Sequence, residues 1–221
     1  MSSVPPPPQP PANVPPTGGA SPDAGAALAY GWKKFQENVG GLLAVILIPL
    51  VAQLILSAVG AVFDSIVMQL LLSAVSYVVS LMLAIGIFNA ALMITSGQRV
   101  DVGQAFSSDR WGEWILFSFV FGLMVGIGVL FCLVGALVVL AFFGLAPYYF
   151  LDQRMGLGDS LSASLEKTRS TSGLPMAIAL TVLVGALGVI LCIIGLFVTM
   201  PIAYVGVAFL YRHVNNQPVA P

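Results

Sequence analysis

Side chains capable of chemistry are few in this sequence, and they lie far apart along the chain. The 221 residues include nine Asp and Glu, one His and two Cys. The histidine, His213, adjoins Arg212 without the cysteines or carboxylates that would complete a metal site or a catalytic triad. Cys132 and Cys192 occupy equivalent apolar bends, where either a disulfide or the simple packing of small side chains would suit them.

A short motif around Asp159 matches the signature of aspartyl intramembrane proteases, Gly-Leu-Gly-Asp. That chemistry needs two carboxylates that face each other inside the membrane and share a proton. Asp159 lies in a charged loop, and the apolar stretches supply no second acid. Asp159 is better suited to capping a helix N-terminus, where a carboxylate accepts from backbone N–H groups. We therefore predict no catalytic, cofactor-binding or metal-binding residue and expect a protein that is not an enzyme.

Three side-chain amides, those of Gln53, Gln69 and Asn89, fall within apolar stretches. An amide buried in hydrocarbon needs a hydrogen-bond partner. Such residues either join helices to one another or line a pathway for a polar substrate. Convergence of the three amides on one axis would support a transporter, whereas scattered amides would count against one.

The composition indicates which environment holds these residues. Hydrophobic residues make up 58% of the chain and charged residues 8%. Soluble domains carry about 25% charged residues, which cover their surfaces. A soluble globular enzyme and a secreted disulfide scaffold are thereby excluded, and a net charge of −1 provides no footprint for nucleic acid. We predict an all-α, polytopic transmembrane bundle.

The lengths of the apolar runs set the number of spans. Residues 114–151 form 38 uncharged residues, which as one helix would reach about 57 Å, nearly twice the hydrocarbon core. This run must fold back near residues 132–135, and the run over 173–211 must fold back near 192–195. The sequence therefore predicts six spans, at 41–62, 66–95, 114–131, 134–151, 174–191 and 195–211.

An internal repeat supports these two breaks. Gly128–Gly135 aligns with Gly188–Gly195 at an offset of 60 residues, with four identical positions. Polar, helix-like stretches precede both hairpins, at 103–113 and 158–172, and an amphipathic stretch at 26–38 precedes the first hairpin. We predict three units, each an amphipathic surface helix followed by a membrane hairpin.

All eight Lys and Arg fall on one side of this topology, and the three tight turns carry none. Basic short loops stay cytoplasmic. We therefore expect an integral membrane protein with both termini in the cytoplasm and with membrane lipids as partners. Aromatic and basic residues of the surface helices are expected to anchor it at the headgroups; they are Trp32, Lys33, Lys34, Phe35, Trp111, Trp114, Lys167 and Arg169.

The N-terminal segment differs from the rest of the chain. Residues 1–25 hold nine of the fifteen prolines, and proline fixes φ and lacks an N–H. The segment also lacks the basic and apolar regions of a signal peptide. We expect a disordered cytoplasmic tail, which is either a solvated spacer or a docking peptide for a protein partner. Residues 26–213 would form the membrane domain and 214–221 a second short tail.

Two later segments resemble a known group of proteins. They read APYYFLDQRMGLGDSLSASLEKTRSTSG and LCIIGLFVTMPIAYVGVAFLYRHV. They resemble bacterial six-span integral membrane proteins related to the membrane domain fused to some glycerophosphodiester phosphodiesterases. The features shared with that group are Asp152 and Gly156 after a span, a Ser-rich surface helix, Pro201 in the last span, and the pair Tyr211 and Arg212. The Pro-rich tail is similar to that of actinobacterial proline- and glycine-rich transmembrane proteins. The resemblance implies a six-span fold and a location in the bacterial inner membrane, and it transfers no catalytic residue.

From the sequence we expect a non-enzymatic structural or accessory membrane protein that interacts with other molecules at its cytoplasmic face. The alternative is a small-molecule or lipid transporter or channel built from the repeated hairpins. The sequence does not indicate an oligomeric state.

Overall fold

The computed structural model of the protein describes residues 22–63, 65–130, 132–190 and 193–221. Within these ranges the chain forms α-helices joined by turns, without a β-strand. Five of the described helical segments are long and apolar enough to cross a membrane, and a sixth span results if one bent helix pair is taken together. The predicted all-α polytopic bundle is therefore confirmed.

The first unit consists of α1 (Ala24–Glu37), α2 (Val39–Gly60) and α3 (Ile66–Thr95). Asp23 begins α1 by accepting hydrogen bonds from the backbone N–H groups of Gly25 and Ala26, at 3.0 and 3.2 Å. This helix matches the predicted amphipathic stretch at 26–38. The two apolar helices that follow match the first two predicted spans to within two or three residues.

The second unit consists of α4 (Val102–Ala105), α5 (Trp111–Leu130), α6 (Cys132–Phe143) and α7 (Ala146–Asp152). Its surface helix is much shorter than the polar stretch predicted at 103–113. Ser107 and Ser108 lie outside any helix and Asp109 lies in a bend, where the Ser108 hydroxyl accepts from the N–H of Arg110 at 3.2 Å. Such side chains compete with helical hydrogen bonds, and α5 begins directly afterwards.

A break between α6 and α7 divides the fourth apolar segment, although Val134–Asp152 still counts as one span. Gly144 and Leu145 form the break, and Pro147 lies in the first turn of α7. Proline suits this position because its missing N–H would have no partner there. The helical segment is thus interrupted just before Pro147.

The third unit consists of α8 (Leu157–Ser170), α9 (Leu174–Ile190) and α10 (Ile193–Val214). The chain turns by 111° between α8 and α9, so the surface helix and the membrane helix point in different directions. The hydroxyls of Ser164 and Thr168 donate to the carbonyl oxygen of Phe142, at 2.9 and 3.1 Å. These bonds hold α8 against the end of α6.

The core forms around α10, which packs against α1, α3 and α9. At its centre the ring of Phe88 lies 5.2 Å from that of Tyr148 and 5.0 Å from that of Tyr204. The Tyr148 hydroxyl donates to the carbonyl oxygen of Tyr204 at 2.8 Å. These contacts join the three units through their membrane helices.

One part of the first unit lies apart from this core. The buried residues of α2 all precede residue 50, and those of α3 all follow residue 80. We call residues 50–63 and 65–80 the projecting hairpin. Leu54, Val67 and Leu70 in it are 62%, 68% and 66% exposed. Its apolar surface is therefore uncovered in the single chain.

Candidate functional site: a polar pocket at one end of the bundle

The polar segments of the three units meet at one end of the bundle, which we call the basic end. Arg154 pairs with Asp109, and the Arg110 guanidinium donates to the carbonyl oxygen of Met155 at 3.3 Å. The backbone N–H of Ala220 donates to the carbonyl oxygen of Thr95 at 3.0 Å. The loop that follows α4 is thus tied to the loop that follows α7, and the end of α3 is tied to the residues that follow α10.

A cavity of about 540 Å³ opens between these segments. Amide, hydroxyl and charged side chains dominate its lining, and they come from α3, α4, α7 and α10 together with the loops after α3 and α4. The lining residues are Asn89, Leu92, Met93, Ser96, Gln98, Gln104, Ser107, Leu151, Asp152 and Arg212. We call this cavity the polar pocket.

Asp152 and Arg212 form the charged part of the polar pocket. Arg212 Nη2 lies 3.9 Å from Asp152 Oδ1, which is an ion pair without a direct hydrogen bond. The other carboxylate oxygen, Oδ2, accepts from the Tyr211 hydroxyl at 2.8 Å and from Gln217 Nε2 at 3.2 Å. The structure therefore brings together the three residues, Asp152, Tyr211 and Arg212, on which the family resemblance partly rests.

The rest of the Arg212 guanidinium is held by the protein. Its Nε donates to Thr95 Oγ1 at 2.9 Å, and its Nη1 donates to the carbonyl oxygen of Pro218 at 3.3 Å. Arg212 as a whole is only 9% exposed. These bonds fix the side chain and leave Nη2 facing Asp152 across the gap, so the cation is positioned before any ligand arrives.

Further ion pairs surround the polar pocket. The hydrogen bond from Arg154 lowers the pKa of the Asp109 carboxyl, and the hydrogen bond from Lys34, 2.8 Å long, lowers the pKa of Glu37. Burial raises the pKa of Tyr30 to about 12, and its hydroxyl has no hydrogen-bond partner in the described part of the chain. Tyr30 instead packs against Phe209, with ring centroids 4.8 Å apart.

The predicted anchoring residues divide into two groups. Trp32, Lys33 and Arg169 are exposed, and Trp111 and Lys167 are partly exposed. These five side chains are free to reach lipid or water at the surface helices. Their anchoring role remains a prediction.

The remaining three anchoring residues lie inside the protein, which corrects the expectation that all eight meet headgroups. Lys34 is 7% exposed and donates to Glu37 and to the Pro221 carbonyl oxygen. Phe35 is also 7% exposed. Trp114, 1% exposed, stacks on Phe117 and donates to the carbonyl oxygen of Leu81 at 3.4 Å.

Close packing of α1 on α10 determines which face of α1 is buried. The small residues Ala27 and Gly31 lie at this contact, and a Cβ on Gly31 would overlap the carbonyl oxygen of Ile202. Trp32, 48% exposed, is turned outward. Close approach of the two backbones therefore selects small residues of α1 for this contact.

The three intramembrane amides do not share one axis. Gln53 and Gln69 line a second cavity, of about 620 Å³, between α2 and α3 of the projecting hairpin. Asn89 instead lines the polar pocket and donates to the carbonyl oxygen of Ala105 at 2.9 Å. Asn89 lies nine positions after Ser80, which is the last hairpin residue that lines the second cavity. Nine positions correspond to about two and a half helical turns, so the two residues lie on opposite faces of α3. This arrangement counts against a single polar pathway.

Some predictions fall where the structure describes too little to test them. Cys192 lies outside the described residues, and so does the side chain of Cys132, so their pairing remains a prediction. The Pro-rich tail is described only from residue 22 onward. Sequence reasoning also missed Ser96, Gln98 and Gln104 as pocket residues, because polar residues next to a span are ordinary and only the fold shows that they converge.

Comparison with known proteins gave no relative from which a role could be inferred. No protein-family model matches this chain, and neither a curated protein nor a solved structure matches it.

Proposed function

We propose that this chain is a non-enzymatic accessory protein of the bacterial inner membrane that binds a zwitterionic phospholipid headgroup in the polar pocket. The basic end would face the cytoplasm, in keeping with the distribution of Lys and Arg. The family resemblance noted in the sequence supports the same membrane assignment.

The observation that carries this proposal is the open ion pair at the polar pocket. The 3.9 Å gap between Arg212 Nη2 and Asp152 Oδ1 leaves one cationic and one anionic group without a direct hydrogen bond to each other. A phosphate is a favourable partner for the guanidinium, and an ammonium group is a favourable partner for the carboxylate. A headgroup that carries both charges would match the pair without leaving either charge uncompensated.

The depth of the polar pocket also supports a headgroup as ligand. Thr95, Asp152 and Arg212 lie in the last turns of α3, α7 and α10, where apolar helices give way to polar loops. Headgroups occupy this level of a bilayer. The neighbouring amides and hydroxyls of Asn89, Ser96 and Gln104 supply neutral donors and acceptors for the phosphate and ester oxygens.

Lipid binding to the purified protein tests the proposal. Native mass spectrometry would compare retention of phosphatidylethanolamine and phosphatidylglycerol by the natural protein and by Asp152→Asn. We expect the natural protein to retain the zwitterionic lipid preferentially and Asp152→Asn to shift the preference toward the anionic lipid. Asp159→Asn removes an exposed carboxylate that does not line the polar pocket and serves as the control. Equal retention of both lipids by all three proteins would contradict the proposal.

The orientation of the basic end can be tested separately. Ser170→Cys, at the exposed end of α8, should resist a membrane-impermeant thiol reagent in intact cells and should react after the cells are opened. The natural chain controls for Cys132 and Cys192. Labelling of Ser170→Cys in intact cells would place the basic end outside.

We also propose that the Pro-rich segment 1–25 contributes a protein contact at this face. Affinity purification in mild detergent, with and without residues 1–25, tests this part. A partner that is lost with the segment supports docking, and an unchanged set of partners assigns the segment to a spacer role.

A further inference from the structure

The projecting hairpin carries a polar stripe that the pocket proposal does not use. Gln69, Ser73, Ser76 and Ser80 follow one another along α3 at spacings of four, three and four residues. All four line the 620 Å³ cavity between α2 and α3, together with Gln53 and Ser57 of α2. We call this set of six residues the polar seam.

The hydrogen bonds within the polar seam are incomplete. Gln53 Oε1 is almost inaccessible to solvent, and it has no hydrogen-bond partner among the described residues. Gln69 Nε2 makes a long contact of 3.5 Å with the carbonyl oxygen of Phe63. The hydroxyls of Ser73 and Ser80 donate within α3, to carbonyl oxygens at 2.7 and 3.0 Å. Their lone pairs remain available to accept from an incoming amide.

We infer that two copies of this chain associate in the membrane through their polar seams. A side-chain amide without partners is unfavourable in hydrocarbon, and amides and hydroxyls that bond between helices stabilise their association. The seam is self-complementary, because Gln53 and Gln69 bring amide donors while Ser73 and Ser80 bring acceptors. A two-fold axis would place the donors of one copy opposite the acceptors of the other.

The spacing of the stripe favours a helix as the occupant. Alternating steps of four and three residues are the pattern by which two helices pack at about 20° over several turns. Ser76 and Ser80 form a small-xxx-small pair, which lets backbones approach closely. Gln69, Ser73 and Ser80 are exposed in the single chain, along the opening of the groove between α2 and α3. A second copy can therefore reach the seam from the bilayer without displacing any part of the bundle.

Cysteine cross-linking in liposomes tests the geometry. Ser73→Cys lies on the seam, whereas Val75→Cys lies about 200° around α3 on a surface that is 48% exposed. We expect Ser73→Cys to form a covalent dimer under mild oxidation and Val75→Cys to remain monomeric, with the natural chain as the control for Cys132 and Cys192. Equal cross-linking of the two variants would overturn the proposal, and so would efficient reaction of Ser73→Cys with a hydrophilic reagent, which would indicate a water-filled groove.

Subunit counting tests the energetics. Single-molecule photobleaching in liposomes at low protein density should show dimers for the natural chain. Gln69→Leu should weaken dimerisation by roughly fivefold, since each copy loses one interhelical hydrogen bond, whereas Val75→Leu should leave it unchanged. Monomers for the natural chain at every density would overturn the inference. Dimers that persist in Gln69→Leu but are lost in Gly126→Leu would also overturn it, because they would assign the contact to α5, where Gly126 has open space around it.

Discussion

The polar pocket and the polar seam both contain polar side chains, but the two regions differ in how completely those side chains are hydrogen-bonded. In the pocket, Arg212 is held by Thr95 and Pro218, and Asp152 is held by Tyr211 and Gln217. In the seam, Gln53 lacks a partner for its carbonyl oxygen. The pocket is thus organised by the chain that contains it, whereas the seam lacks the contacts that would complete it. In our proposals the pocket is accordingly a preformed ligand site, and the seam is a contact surface for another helix.

The largest expected effect comes from removing the cation of the polar pocket. Arg212→Met leaves Asp152 without its opposite charge and Thr95 without its donor. Removing one partner of a buried pair costs about 3–5 kcal/mol, and we expect about 3 kcal/mol because the Asp152 side chain is 24% exposed. Thermal unfolding in detergent measures the loss.

The matched change in the polar seam is Gln53→Leu. It replaces an incompletely bonded amide with an apolar side chain, so the stability of the monomer in detergent should stay the same or rise. Comparable losses for Arg212→Met and Gln53→Leu would remove the distinction between an organised pocket and an incomplete seam.

A second, smaller effect distinguishes the packing of the two regions. Gly31→Ala forces a Cβ into the carbonyl oxygen of Ile202 on α10, and overpacking of this kind costs about 1–3 kcal/mol. Gly60→Ala in the projecting hairpin meets only Leu72 Cδ1, at 3.6 Å, and should be tolerated. Unfolding temperatures of the two variants in the same detergent provide the measurement. A larger loss for Gly60→Ala would show that the hairpin packs more tightly than described.

The smallest effect concerns Tyr30, a partly buried tyrosine of α1. Tyr30→Phe removes a hydroxyl that has no hydrogen-bond partner in the described chain, so stability at pH 7 should be unchanged. Because burial raises the pKa of Tyr30 from 10 to about 12, unfolding allows the phenol to ionise above pH 10. The natural protein should therefore lose stability relative to Tyr30→Phe between pH 10 and 12. Parallel unfolding curves for the two proteins across this range would contradict the burial of Tyr30.

The fold was more predictable than the site. Apolar run length and the repeat around Gly128 and Gly188 were sufficient to predict the hairpins, because a chain in lipid must satisfy its backbone within helices. The surface helix predicted at 103–113 was too long, since the chain leaves the helical conformation at Ser107 and Ser108. Trp114 was expected at the membrane surface but packs inside, because an aromatic side chain next to a span suits either a headgroup or a core.

By itself, the sequence determined that this protein is a helical membrane bundle with its Lys and Arg confined to the loops and ends of the predicted topology, because hydropathy and charge are properties of single residues summed along the chain. Only the tertiary structure decided which polar residues meet. Asp152 and Arg212 lie 60 positions apart in the sequence and become neighbours because α7 and α10 end at the same depth. Asn89 and Gln69 have the same functional group and lie on the same helix, yet their positions along and around α3 place one in the pocket and the other in the seam.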